Sequence, residues 1–268
     1  MECMVDTRGS RLRVRAGPGT RHRVLGSLED GERVRIVGHR GAWGELSTRG
    51  WVHTAYLVDA QTELRGRIAQ LLRSRECQGI NFEMAGTRVT GRLYGRVASH
   101  VLDTSWPYKI RITTNPAHLP ISRTTGRRVA GMYTMRPTSG GGENTLLLRG
   151  DDFLARDEDR ATVVHECAHI IYDVLRVPCV GMDMEAAAYL AETWYLIDLR
   201  GPNPSAAKPA VLEVAREVWA RSGGPGSPPV RVTQAERHQL HRALVDIGYR
   251  WERTGNYGRP DGLQRHLE

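Results

Sequence analysis

Lysine is almost missing from this chain of 268 residues: Lys109 and Lys208 are the only two among its 38 Lys and Arg side chains. Cysteine occurs four times, as Cys3, Cys77, Cys167 and Cys179, which is too few and too scattered for a disulfide scaffold. The absence of any Cys-x-x-Cys pair argues against a thiolate zinc knot. No apolar run approaches the roughly 18 residues that a membrane span needs. The opening MECMVDTRGSRLRVR lacks the apolar core of a secretory leader. The expected routes are then retention in the cell, leaderless export, or a leader absent from this sequence. No aromatic platform or helix-turn-helix pattern speaks for nucleic acid, and no internal repeat is apparent.

The net charge of +8 comes almost wholly from arginine. It favours anionic surroundings such as wall polymers, acidic membranes or nucleic acid without choosing among them. An arginine-rich composition inherited from a GC-rich genome is the plain alternative.

From Met4 to Asp59 short stretches alternate with period two. LRVRAGPG points Leu12 and Val14 inward and Arg13 and Arg15 outward, then stops at Gly17-Pro18-Gly19. RVLGSL, ERVRIVG and GWVHTAYL repeat the pattern, separated by Glu29-Asp30-Gly31 and Gly41-Ala42-Trp43-Gly44. About fifty residues of this kind make a small antiparallel barrel. In order and spacing, LRVRAGPG, VLGSL, the DG turn, Trp43 and GWVHTAYL resemble the bacterial SH3 (SH3b) domain. The resemblance implies a binding module, often one that holds peptidoglycan, and hence a cell-wall or extracellular role if the chain is exported. Ten arginines against five acids between Val5 and Val58 suit an anionic wall. Trp43, Trp51 and Tyr56 are candidate groove residues, with at least one of them expected in the core. The alternative is a barrel that merely packs on its neighbour.

Beyond it, Gln61 to Cys77 reads as a helix with Leu64, Ile68, Leu71 and Leu72 on one stripe. Strands are expected around Arg88–Tyr94 and Tyr108–Thr114, and in GMYTM (Gly131–Met135) and NTLLLR (Asn144–Arg149), the last two joined by a turn at Gly140–Gly142. Helices are expected over Thr162–Leu175, Met184–Leu199 and Ser205–Ser222. Gly223–Pro229 reads as a linker. Thr233-Gln-Ala-Glu236 is a capping box opening a helix with Leu240, Leu244 and Ile247 on one face. His238 and His241 on that helix read as surface residues.

The chemistry concentrates in VVHECAHIIYD (Val163–Asp173). Helical positions i and i+4 share a face, so His165 and His169 can direct imidazole nitrogens at one ion about 2.0–2.1 Å away. Glu166 is rotated about 100° from His165, which lets it serve as a base without being a ligand. Zinc brings the pKa of water toward about 7, where a carboxylate can take the proton during attack on a carbonyl. Val163, Val164, Ile170 and Ile171 flank the motif, and buried polar groups there are costly unless paired or metal-bound. A helix with a merely solvated polar face is the competing reading. Cys167 is read as a small core-facing residue.

Two histidines leave a zinc site short of a third ligand. The next helix offers Glu185, whose distance from His169 gives one loop and an antiparallel return, and Glu192, two turns along the same face. Glu185 is the first choice.

This constellation resembles the zincin metallopeptidases, specifically the gluzincins, over roughly Ser105–Leu199. The resemblance implies a glutamate third ligand on the following helix and a small sheet whose edge strand aligns a peptide above the metal. Leu146–Arg149 or GMYTM would be that strand. The extended histidine signature of metzincins is absent. Where thermolysin-like members carry an acid four residues after the ligand, this chain has Tyr189, so Asp173, Asp183 and Glu192 stand as candidates to orient a histidine. Tyr133, Tyr172 and Tyr189 are candidate oxyanion stabilisers.

The expected fold is α+β: a small all-β SH3-like barrel at 4–59, a zincin-like domain of helices with a small sheet at 62–200, and a helical C-terminal extension at 201–268. The expected activity is that of a zinc peptidase on peptide or protein substrates, brought to the wall by its barrel. A non-catalytic wall-binding or adaptor protein with a structural or degenerate zinc site is the alternative.

Overall fold

Alternation along β2 (Leu12–Arg15) buries Leu12 and Val14 and turns Arg13 and Arg15 outward. That period of two recurs through most of the N-terminal unit of a computed structural model, which describes residues 1–103, 110–114, 117, 119–121, 129–134, 144–150, 153–175, 181–224 and 226–248. With β1 (Glu2–Val5), β3 (Val24–Leu28), β4 (Arg33–Arg40), β5 (Trp43–Leu46), β6 (Trp51–His53) and β7 (Leu57–Asp59), it forms an antiparallel sheet in the order β3-β2-β6-β5-β4-β1-β7. The core is aliphatic: Val5, Leu12, Val14, Val34, Ile36, Leu46 and Val52, with Cys3. Trp43 and Trp51 are half-buried and Tyr56 is exposed, so none of the three is the core aromatic that the sequence led one to expect. A single turn explains why β6 is entered through glycine. Gly50 has φ +96°, and a Cβ there would lie 2.7 Å from Val14 Cγ1 and 2.9 Å from the Arg15 carbonyl oxygen.

Residues 1–66 form this unit and 67–268 a second one; α1 spans Ala60–Leu72. The helix expected to reach Cys77 stops at Leu72 because Ser74 interrupts it. The Ser74 hydroxyl accepts the Cys77 N–H at 3.3 Å and caps the short α2 (Arg75–Gly79). The sequence pattern gave no strand at β8 (Asn81–Met84), which pairs antiparallel with β9 (Thr87–Thr90). The strand expected through Tyr94 ends at Thr90 and gives way to α3 (Gly91–Leu102). Its buried residues Tyr94, Val97, Ala98 and Val101 follow the helical spacing i, i+3, i+4, i+7.

The Gly/Pro stretch near 223–229 is tied down where the Ser227 carbonyl accepts from Asn81 Nδ2 at 2.7 Å. It leads into β13 (Val230–Arg231), parallel to β8.

A second small sheet has the order β10-β12-β11, from β10 (Arg111–Thr113), β11 (Gly131–Thr134) and β12 (Thr145–Leu148). All four residues of β12 are buried in the middle of that sheet. Leu146–Arg149 is therefore not an edge strand, whereas among the described residues Gly131–Thr134 is. The turn expected at Gly140–Gly142 and Cys179 lie outside the described residues.

The sheet packs on α4 (Asp157–Val174), in which every residue from Val163 to Val174 is buried. α4 starts earlier than expected because Asp157, Glu158 and Asp159 occupy its first turn, where the helix dipole favours anions. It packs against α5 (Gly181–Arg200), an almost wholly buried helix. α6 (Pro209–Ala220) and α7 (Gln234–Asp246), expected in a C-terminal extension, pack on α5 within the same unit. The capping box of α7 is present, with the Thr233 N–H donating to Glu236 Oε2 at 2.7 Å.

Candidate metal centre

α4 stacks His165 and His169 one turn apart, their rings 5.1 Å from centre to centre. α5 brings Glu185 to both: His165 Nε2 lies 3.5 Å and His169 Nε2 3.6 Å from its two carboxylate oxygens. The ligand atoms of the three side chains all lie within 4.8 Å of one another, and each residue is 1–6 % exposed. Tetrahedral bonds of about 2.0–2.1 Å set ligand atoms roughly 3.3 Å apart, so the spacing fits a small divalent ion. Two imidazoles and a carboxylate suit zinc and also other first-row divalent metals, so the donor set does not single out zinc.

Of the two glutamates left open by the sequence, Glu192 takes another position. Its Oε2 lies 3.0 Å from His165 Nδ1, the nitrogen turned away from Glu185, where it fixes the ring and its tautomer. Seven residues bring a helix nearly two full turns around, so Glu192 follows Glu185 along one face. Asp173 accepts instead from the Tyr133 hydroxyl at 2.7 Å, and Asp183 from Arg237 and His241.

Burial alone would lower the pKa of His165, but hydrogen bonds to Glu185 and Glu192 and the charge of Glu166 outweigh it and raise it to about 10. Burial lowers His169 to about 4, against the pull of Glu185. Burial would raise Glu192, yet the hydrogen bond and charge of His165, with Lys208 beyond, hold it below its usual value.

Glu166 is buried beside this cluster, and burial raises its pKa to about 7 against the charge of His165. Its Oε2 accepts the backbone N–H of Tyr133 at 2.7 Å, so the edge strand β11 and the carboxylate hold each other. Close packing of β11 on α4 needs Gly131, where a Cβ would come 3.0 Å from Thr162 Cγ2 and 3.4 Å from Glu166 Cγ.

Among the tyrosines weighed as oxyanion stabilisers, Tyr133 directs its hydroxyl to Asp173 and Asn144, and Tyr172 is fully buried. Tyr189 meets the His165 ring edge-on at 4.4 Å and carries Lys208 Nζ 3.5 Å above its own centroid. Burial lowers the Lys208 pKa while Glu192 and Glu185 oppose it. Sequence reasoning passed Lys208 over. The signal available was its rarity, an ammonium kept at a half-buried position in a chain that otherwise uses arginine. Cys167 is buried in α4, its thiol pushed well up by burial, as a core residue would be. His241 corrects the surface reading: it is 6 % exposed and bonded to Asp183, because α7 lies against α5.

On the first unit, Arg11, Arg13 and Arg15 line a cleft of about 500 Å³ together with Trp43, His53 and Tyr56. The class of this unit follows from its fold: it is an SH3-like antiparallel sheet. Residues 10–58 match the family model for the bacterial SH3 domain. No curated protein matches the chain. No helix among the described residues is long and apolar enough to cross a membrane.

Proposed function

We propose that the second unit is a metal-dependent peptidase, with zinc as its metal, and that the SH3 domain carries it to bacterial wall material. The convergence of His165, His169 and Glu185 in the interior is the observation that supports this reading most. These three residues would hold the ion, with Glu192 orienting His165. The metal, when bound, would polarise a peptide carbonyl and make water a better nucleophile near neutral pH. Glu166 takes the proton of the attacking water onto its carboxylate and passes it to the nitrogen of the departing amine. The Tyr133 N–H keeps that carboxylate in place beside the ligand cluster. Binding of wall polymer by the SH3 domain raises the local concentration of peptide at the attached site without tight binding there.

One observation favours a rival, a wall-binding adaptor with a structural metal. His165, His169, Glu185 and Glu166 are all at most 7 % exposed, as the ligands of a closed structural site would be.

Glu166→Gln separates the two. The amide cannot accept the proton, so cleavage of wall peptides or unfolded proteins should fall at least about 100-fold with metal content unchanged. Fully metal-loaded wild type that cleaves none of these substrates would favour the adaptor.

A further inference from the structure

The first turn of α5 is held from the side opposite its ligand. Asp183 is 2 % exposed and lies two residues before Glu185, about 200° around the helix. Arg237 of α7 grips its carboxylate with Nε on Oδ1 and Nη2 on Oδ2, the latter at 2.6 Å. His241, one turn further along α7, lies 2.9 Å from Oδ1 through Nε2. α7 is itself anchored, because Glu236 takes Arg221 Nη2 at 2.6 Å at its first turn while closing the capping box. A buried carboxylate met by a two-pronged guanidinium and an imidazole is a strong, directional clamp.

We infer that Arg237 and His241 are positioning residues for the metal centre: through Asp183 they fix the rotation of α5 about its axis and so the place of Glu185. The inference rests on Glu185 being a ligand. Its carboxylate stands about 6 Å from the helix axis, given a Cα radius of about 2.3 Å and the length of the side chain. A rotation of about 10° would therefore carry it about 1 Å, several times the roughly 0.2 Å that a metal–ligand bond tolerates. The C-terminal helices, which carry no ligand, thereby become part of the site.

The test is zinc affinity of the full chain, measured by competition with a chelator, together with melting of the zinc-free and zinc-loaded protein. Arg237→Met should fold and bind zinc about 10–100-fold more weakly, as removal of an outer support does. Arg237→Lys keeps the charge but loses the fork, and should fall between that variant and wild type. A purely structural role would lower both melting temperatures alike and leave the dissociation constant alone. A folded Arg237→Met protein within twofold of wild type overturns the inference. Should that variant fail to fold, wild-type affinity in Arg237→Lys overturns it instead. Wild-type protein that takes up no zinc would sink the metal reading itself, and this inference with it.

Discussion

Removing the Glu192 carboxylate is the sharpest probe of how the candidate centre is built. In the structure it touches the far nitrogen of His165 at 3.0 Å, whereas Glu185 lies against Nε2 of both histidines. A hydrogen bond to a charged group contributes about 1.5–3 kcal/mol. Part of that is cancelled in the comparison, because Glu192 also helps hold the proton that a metal must displace from His165. The net loss for Glu192→Ala should thus be about 1.4–2.7 kcal/mol, or 10–100-fold in metal dissociation constant. Glu192→Gln keeps a neutral acceptor for the ring N–H and should lose less. Glu185→Ala, which deletes one of the three proposed ligands, should lose far more than either. Chelator competition at fixed pH and salt reads all three. Affinity within twofold of wild type in Glu192→Ala would refute the orienting role, and a loss equal to that of Glu185→Ala would make Glu192 a ligand.

Three further outcomes are expected. His165→Ala and His169→Ala should each abolish stoichiometric metal in the purified protein, measured by atomic absorption; full occupancy in either variant would remove that histidine from the ligand set. Residues 1–66 alone should fold and sediment with purified peptidoglycan, less so as salt screens the arginines around the Trp43 cleft; absence of sedimentation at low salt would argue for a barrel that only packs. Gly50→Ala must place a Cβ against Val14 and the Arg15 carbonyl at a positive φ, and should destabilise that unit by about 1–3 kcal/mol in a urea titration; an unchanged midpoint would mean that the turn does not constrain the unit.

The elements that sequence reading found best were those with one uninterrupted period. β2 announces itself by Leu12 and Val14, and α4 and α5 by long apolar runs around isolated polar residues. Among candidate residues, helical spacing paired His165 with His169 because that geometry is local, whereas the choice of Glu185 over Glu192 needed the packing of α5 on α4. What escaped depends on neighbours far along the chain. Thr90 ends a strand only because the buried stripe from Tyr94 to Val101 folds as a helix. His241 looked exposed because its partner Asp183 is 58 residues away. Lys208 had no local pattern at all, since what makes it notable is the ring of Tyr189 beneath it.

The buried charges around the ligand cluster set how metal and protons trade places. Among the described residues, the carboxylates of Glu166, Glu185 and Glu192 gather at the candidate site, and the ammonium of Lys208 acts on the last two. Glu185 and Glu192 outweigh burial and hold a proton on His165, so a divalent ion entering this site would have to displace it. A proton and a divalent ion would therefore compete for the same imidazole. Apparent metal affinity should fall as the medium becomes acidic. Acidification would favour the proton and a rise in pH the ion.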